Sequence, residues 1–184
     1  QPLLSVMGCP NLSLKRVISN DQVEFIEPRQ RIDLSRNNGH QRYQHRQRRH
    51  YEDKPFDVSH IDTGSIFYAI SNNGAYGRSL SMPYNAAIEL QVSGVDQIHE
   101  ATLCEGVEKS FGNWNTTTKV RQQLNIRSNS IRIDGQCKYC LVGAGAAECN
   151  LRLPPSGYVE KIWDHLRGYH FVTEAGGKVT DLSG

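Results

Sequence analysis

The sequence predicts a mixed α/β fold with an antiparallel portion, and three observations lead there. Asn72-Asn73-Gly74 separates two short runs, SIFYAI and AYGRSL, which is the signature of a tight hairpin. In the second half of the chain, short apolar runs alternate with stretches of helical spacing. The chain closes on a stretch in which Ile162, Leu166, Tyr169, Val172 and Ala175 recur at three- and four-residue steps, a helical stripe.

Taken in order, residues 3–7 (LLSVM) form an apolar run that stops at Gly8-Cys9-Pro10, so a buried strand and a turn are expected. Residues 11 to 60 read as linker. Arg29, Arg31, Arg36, Arg42, Arg46, Arg48 and Arg49 crowd a segment with almost no aliphatic residues. Such a block buries too little apolar surface to offset its ordering entropy, so a disordered insertion is expected. The hairpin follows at 65–70 and 75–80, and IELQV at 88–92 alternates as a further strand. Residues 101–103 suggest a short strand and 114–124 a helix, weakened by Thr116, Thr117 and Thr118. A strand at 130–133, a helix from 136 to about 145 and a strand at 149–153 ended by Pro154-Pro155 come next. The closing helix is expected to carry Asp164 in its first turn and to stop at Gly176-Gly177, with a last strand at 178–181. The domain reading is therefore 1–15 as first strand and turn, 16–60 as linker, and 61–184 as the main lobe.

A hydrophobic fraction of 38%, a charged fraction of 22% and a net charge of +2 describe a protein with a core and no strong electrostatic preference. No run approaches the ~20 apolar residues of a membrane helix. The first residues carry neither a basic region nor a long apolar core, so no signal peptide is read there. The absence of an initiator methionine and the start inside a strand point to a piece of a longer protein. A cytoplasmic, monomeric protein is expected, with its five cysteines reduced. Cys137 and Cys140 have the CxxC spacing without a second pair, and read as small buried residues of a helix. The arginine arm has charge enough for nucleic acid, but no stacking motif accompanies it, and a nucleic-acid partner is not expected.

Three local features bear on chemistry. Gly143-Ala144-Gly145-Ala146-Ala147 begins like a dinucleotide fingerprint, but Glu148 stands where a small residue belongs, and tight packing is the simpler account. Lys138, early in a helix, and Arg152, on the strand after it, could clamp a phosphate as a point charge and a fork. Composition alone favours the plainer account, two solvated surface charges. Asp164 could complement a helix N-terminus or, beside a phosphate, ligate magnesium, which normally needs more than one protein carboxylate.

Three segments together closely resemble one family. They are Cys9-Pro10-Asn11-Leu12, the run Ile133-Asp134-Gly135-Gln136-Cys137-Lys138-Tyr139-Cys140, and Leu151-Arg152-Leu153-Pro154 continuing through Glu160-Lys161-Ile162-Trp163-Asp164-His165 to Glu174-Ala175-Gly176-Gly177. The sequence is similar in these to the 3′(2′),5′-bisphosphate nucleotidases, within the magnesium-dependent group that includes inositol monophosphatase. The resemblance implies an alternating helix/sheet sandwich of which this is the C-terminal lobe. It implies hydrolysis of 3′-phosphoadenosine 5′-phosphate to AMP and phosphate, with Mg2+ as cofactor. Asp164 would be a magnesium ligand in contact with substrate, and Lys138, Arg152 and the Gly135 position would contact the nucleotide. The family's other metal carboxylates, an upstream glutamate pair and an Asp-Pro-Ile-Asp-Gly-Thr segment, have no counterpart here. No residue of this chain is then expected to be catalytic, and the polypeptide alone is expected to be inactive or nearly so. A nucleotide-binding remnant and an inositol phosphate phosphatase are the rival readings. Phe111 and Gly135 stand where the family usually has histidine and serine. Leu166 and Arg167 replace two small residues and are expected to crowd Asp164.

Overall fold

A computed structural model describes residues 4–10, 12, 64–80, 87–107 and 113–184. The arginine-rich segment and Phe111 lie outside these residues, as does the proposed 16–60 linker. Four strands, β1 (Leu4–Cys9), β2 (Ser65–Ile70), β3 (Ala75–Ser79) and β4 (Ile88–Leu90), form an antiparallel sheet in chain order. Alternation sets its two faces. Ser5, Met7 and Cys9 are buried, as are the residues opposite them, Ala69, Phe67 and Ser65. Leu4 and Val6, one residue out of phase, are exposed. The hairpin turn forms as its sequence demands, with Asn72 at φ 59° and Gly74 at φ 90°.

A second sheet is parallel: β5 (Leu103–Glu105) lies between β6 (Ile131–Arg132) and β7 (Cys149–Asn150). Helix α1 (Trp114–Gln123) connects β5 to β6, and α2 (Cys137–Gly143) connects β6 to β7. The indole of Trp114 donates to Gly106 O at 2.9 Å and carries the Arg132 guanidinium on its face, pinning α1 to the strand ends. Helix α3 (Leu166–Glu174) follows a single 3-10 turn (Ile162–Asp164). It packs on the antiparallel sheet, where Phe171 meets Phe67 edge-on at 5.9 Å between ring centroids. Helix α2 packs on the parallel sheet, and the two helices pack on each other. The layers run sheet, helix pair, sheet, which is the expected α/β sandwich. Among the described residues no helix is long and apolar enough to cross a membrane.

Glycine sets the spacing of the helix pair. A Cβ on Gly168 would lie 2.2 Å from Tyr139 Cγ, and one on Gly143 would lie 2.5 Å from the Phe171 ring. One on Gly145, at φ +70°, would sit 2.9 Å from Gln91 O. Packing thus accounts for the glycines of the apparent dinucleotide motif.

Several expectations shift. The closing stripe does not run from Ile162, which is 69% exposed, through Leu166 and Tyr169, at 40% and 41%. The buried face is Gly168, Phe171, Val172 and Ala175, with His170 also inside. The 3-10 turn interrupts the periodicity, so α3 begins after Asp164 rather than before it. The stop is as expected: Gly177 N donates to Val172 O at 2.8 Å, with Gly176 at φ +87°. No strand forms at 178–181, because nothing among the described residues pairs with that segment. The first parallel strand forms at Leu103–Glu105, two residues later than expected, and the last is only Cys149–Asn150.

Glu174 ties α3 to the hairpin. Its carboxylate accepts from Asn72 N at 3.0 Å and Gly74 N at 3.3 Å, while His170 Nε2 meets Ser71 Oγ at 3.1 Å. Glu174→Ala leaves two amides of a tight turn without their charged acceptor. A loss of about 1–2 kcal/mol is expected in urea unfolding, with Glu174→Gln intermediate.

Candidate functional site

Successive crossings from β5 to β6 and from β6 to β7 run to opposite sides of the central strand, so the chain reverses direction across the parallel sheet. In open α/β sheets such a reversal leaves a crevice beyond the carboxyl ends of the strands. A cleft of about 400 Å³ lies there. Its walls include Gly106, just past β5, Asp134 and Gly135, past β6, and Leu151 and Arg152, past β7. Gln136 and Lys138 come from the start of α2, and Glu160, Asp164 and Arg167 close the other side. A wider hollow of about 970 Å³ beside α1, bordered by His99, Arg121 and Arg127 among others, contains none of the residues singled out from the sequence.

Gly135, Lys138, Arg152 and Asp164 therefore border one cleft, although they come from three separate segments. Gly135 turns the chain into α2 at φ +63°, with open space where a Cβ would be. Lys138 is only 6% exposed, and its ammonium donates to Ile133 O at 3.2 Å. An ammonium has three donors, so more remain for a ligand. Burial, and then the neighbouring Arg152, lower its pKa below the ordinary lysine value. Arg152 is engaged with Glu160 in a two-pronged pair, Nε to Oε1 at 2.5 Å and Nη2 to Oε2 at 2.8 Å. That contact raises the arginine's pKa and holds the Glu160 carboxyl below its usual range.

Asp164 is half-buried at the rim, and its carbonyl oxygen accepts a hydrogen bond from the Gln136 amide. Leu166 and Arg167 are both exposed. Only Arg167 of the two borders the cleft, and it donates to Trp163 O at 3.1 Å. Leu166 does not line the cleft, so what the pair brings to the rim is the Arg167 cation and not bulk against Asp164. Reading the sequence missed Glu160 in the cleft wall, and His165 and Tyr139 as the side chains linked to it. A carboxylate eight residues after Arg152, across the turn that Pro154-Pro155 imposes, was the available signal.

The donor set for a magnesium ion is thin. Glu160 is engaged with Arg152, which leaves Asp164 and Asp134, the latter with Oδ1 accepting from Val107 N at 3.0 Å. Among the described residues no group of three or more histidine, cysteine or acidic side chains could hold a metal ion. Magnesium favours near-octahedral oxygen coordination, so the described residues do not fit it by themselves. The cysteines are no substitute centre. Cys104 is pushed up to about 12 by burial. Cys137 is raised by its contact with Cys9, whose own thiol is pushed to about 12 because Cys140 and burial outweigh the stabilising contact from Cys137. Such thiols are inert, as small core residues should be.

The inositol monophosphatase family model matches residues 2–184. Among curated proteins, the chain is 42% identical over 123 residues to the 3′(2′),5′-bisphosphate nucleotidase of Emericella nidulans, covering 66% of this chain and 35% of that protein. It is 36% identical over 174 residues to 3′(2′),5′-bisphosphate nucleotidase 1 of Arabidopsis thaliana, covering 95% of this chain and 40% of that one. Among solved structures it is similar to Mycobacterium tuberculosis SuhB, with a TM-score of 0.47 and 19% identity over 65% of this chain and 46% of that chain. The chain spans well under half the length of the curated relatives it matches.

Proposed function

The chain belongs to the inositol monophosphatase family, and on that premise we propose that it supplies the nucleotide-holding part of a magnesium-dependent 3′(2′),5′-bisphosphate nucleotidase. The reaction is hydrolysis of 3′-phosphoadenosine 5′-phosphate. Water adds to the 3′-phosphorus, the bond to the 3′-oxygen breaks, that oxygen leaves with a proton, and AMP and phosphate result. The observation that carries the reading is the meeting of Lys138, Arg152 and Asp164 in one cleft at the carboxyl ends of the parallel strands. The bisphosphate nucleotidase relatives support the choice of substrate.

In this reading Lys138 and Arg152 bind and orient phosphate oxygens and offset their charge, and the turn at Gly135 gives the nucleotide room. Asp164 would be one of the residues that hold magnesium. The family's other metal-carboxylate motifs have no counterpart in the sequence, so the chain alone is expected to bind nucleotide without turning it over. Domain limits of 1–15, 16–60 and 61–184, a monomeric state, a cytoplasmic location and the absence of a nucleic-acid partner are part of the proposal. A second reading, a nucleotide-binding protein without catalysis, is favoured by the thin donor set and by Arg167 at the rim.

Calorimetric titration of the chain with 3′-phosphoadenosine 5′-phosphate, AMP and inositol 1-phosphate, joined to a phosphate-release assay in magnesium, tests these readings. The bisphosphate is expected to bind about tenfold tighter than either monophosphate. Release is expected only when the upstream half of the Emericella nidulans relative is supplied. Saturable binding with no release even then supports the second reading. Tighter binding of inositol 1-phosphate refutes the choice of substrate, and absence of all binding refutes the site.

A further inference from the structure

The Arg152 guanidinium cannot offer a phosphate its Nε–Nη2 edge. Its Nε and Nη2 donors are already engaged by Glu160, at 2.5 and 2.8 Å. Glu160 is held in turn, because its Oε2 meets His165 Nε2 at 3.1 Å and His165 Nδ1 meets the Tyr139 hydroxyl at 2.7 Å. Tyr139 follows Lys138 in α2, and His165 follows Asp164. One line of polar contacts thus joins the segments that carry the lysine, the arginine and the aspartate.

A carboxylate in an anion-binding cleft is an electrostatic liability. It repels a phosphate and neutralises the cation meant to attract it. Occupation of one guanidinium edge also has a geometric consequence. A five-donor planar group with its Nε and Nη2 edge fixed cannot rotate, and the end it offers is Nη1 with the second hydrogen of Nη2. Lysine in the same place could not be aimed in this way. We propose that Glu160 is a positioning residue that fixes Arg152 so that Nη1, together with the Lys138 ammonium, receives a phosphate monoester, with His165 and Tyr139 keeping the Glu160 carboxylate in place. The inference rests on the phosphate-binding reading of the cleft given above.

The sign of one substitution separates positioning from charge alone. Binding of inorganic phosphate and of 3′-phosphoadenosine 5′-phosphate to the full chain would be measured for wild type, Glu160→Gln, Arg152→Lys and the double variant. If Glu160 positions Arg152, Glu160→Gln weakens both ligands about tenfold although a repulsive charge has gone. The same change does almost nothing in the Arg152→Lys background, where no fork remains to aim. Equal or tighter binding by Glu160→Gln overturns the inference, as do additive effects in the double variant. Should Glu160→Gln fail to fold, proton exchange at Arg152 Nε in wild type decides. Protection retained when phosphate binds supports the inference, and protection lost on binding shows that phosphate displaces Glu160 and overturns it. Absence of phosphate and nucleotide binding by wild type refutes the cleft reading and this inference with it, whereas the other outcomes bear on Glu160 alone.

Discussion

Gly168→Ala is expected to destabilise the protein by about 3 kcal/mol, at the upper end of what overpacking usually costs. Glycine in the interior of a helix is ordinarily a weakness, and alanine there should gain up to ~1 kcal/mol from propensity alone. Here the sign reverses, because the new methyl would lie 2.2 Å from Tyr139 Cγ and also within 2.7 Å of both Cδ atoms of the ring. That ring sits at the base of its side chain's reach, so it cannot swing aside as the end of a lysine could. Either α3 moves off α2 or Tyr139 leaves its place. Both helices carry the cleft, and Tyr139 holds His165, so anion affinity should fall together with stability. Gly94→Ala, with nothing within 4 Å of the new Cβ, is the matched control and should change stability little. Urea unfolding of both variants checks the expectation, and an unfolding midpoint for Gly168→Ala equal to wild type would show that the helices are not locked through this contact.

The contrast between Gly168 and the hairpin shows what was readable in the sequence. Asn72-Asn73-Gly74 specifies its structure locally, since positive φ at Asn72 and Gly74 is a property of those residues. The strands around it, α1 and α2 were legible for the same reason. Gly168 carries no local mark, because its meaning depends on a ring 29 positions upstream in another helix. The stripe drawn through Ile162 and Leu166 failed at a 3-10 turn that helical periodicity cannot register. The segment at 178–181 had strand character in composition, but a strand exists only where an edge receives it. The residues that meet in the cleft, Lys138, Arg152 and Asp164, were picked out through short motifs. Its second layer was not, because Glu160 and His165 are ordinary surface residue types until the turn after Arg152 folds them back.

Lys138→Met should separate binding from stability most sharply. A cation only 6% exposed is costly to keep charged, and burial together with Arg152 lowers its pKa. In the unfolded chain the same lysine titrates near the ordinary value of about 10.4. Between the lowered folded value and the ordinary one, the unfolded state binds more protons, so stability rises with pH across that window. Below it the cost is fully present, and methionine, which fills the same stem without a charge, does not carry it. The variant is therefore expected to be at least as stable as wild type at pH 7, with the gap narrowing as pH rises toward about 10. The lost bond to Ile133 O offsets part of the gain. Affinity for 3′-phosphoadenosine 5′-phosphate should nevertheless fall ten- to a hundredfold, roughly the 1.5–3 kcal/mol of a charge-assisted hydrogen bond. Wild-type affinity should itself decline with rising pH earlier than an ordinary lysine would allow. Unfolding at pH 7 and pH 10 beside calorimetry over the same range tests both halves. A variant that loses stability at pH 7 while binding unchanged would make Lys138 a structural residue and leave Arg152 to hold the phosphate without it.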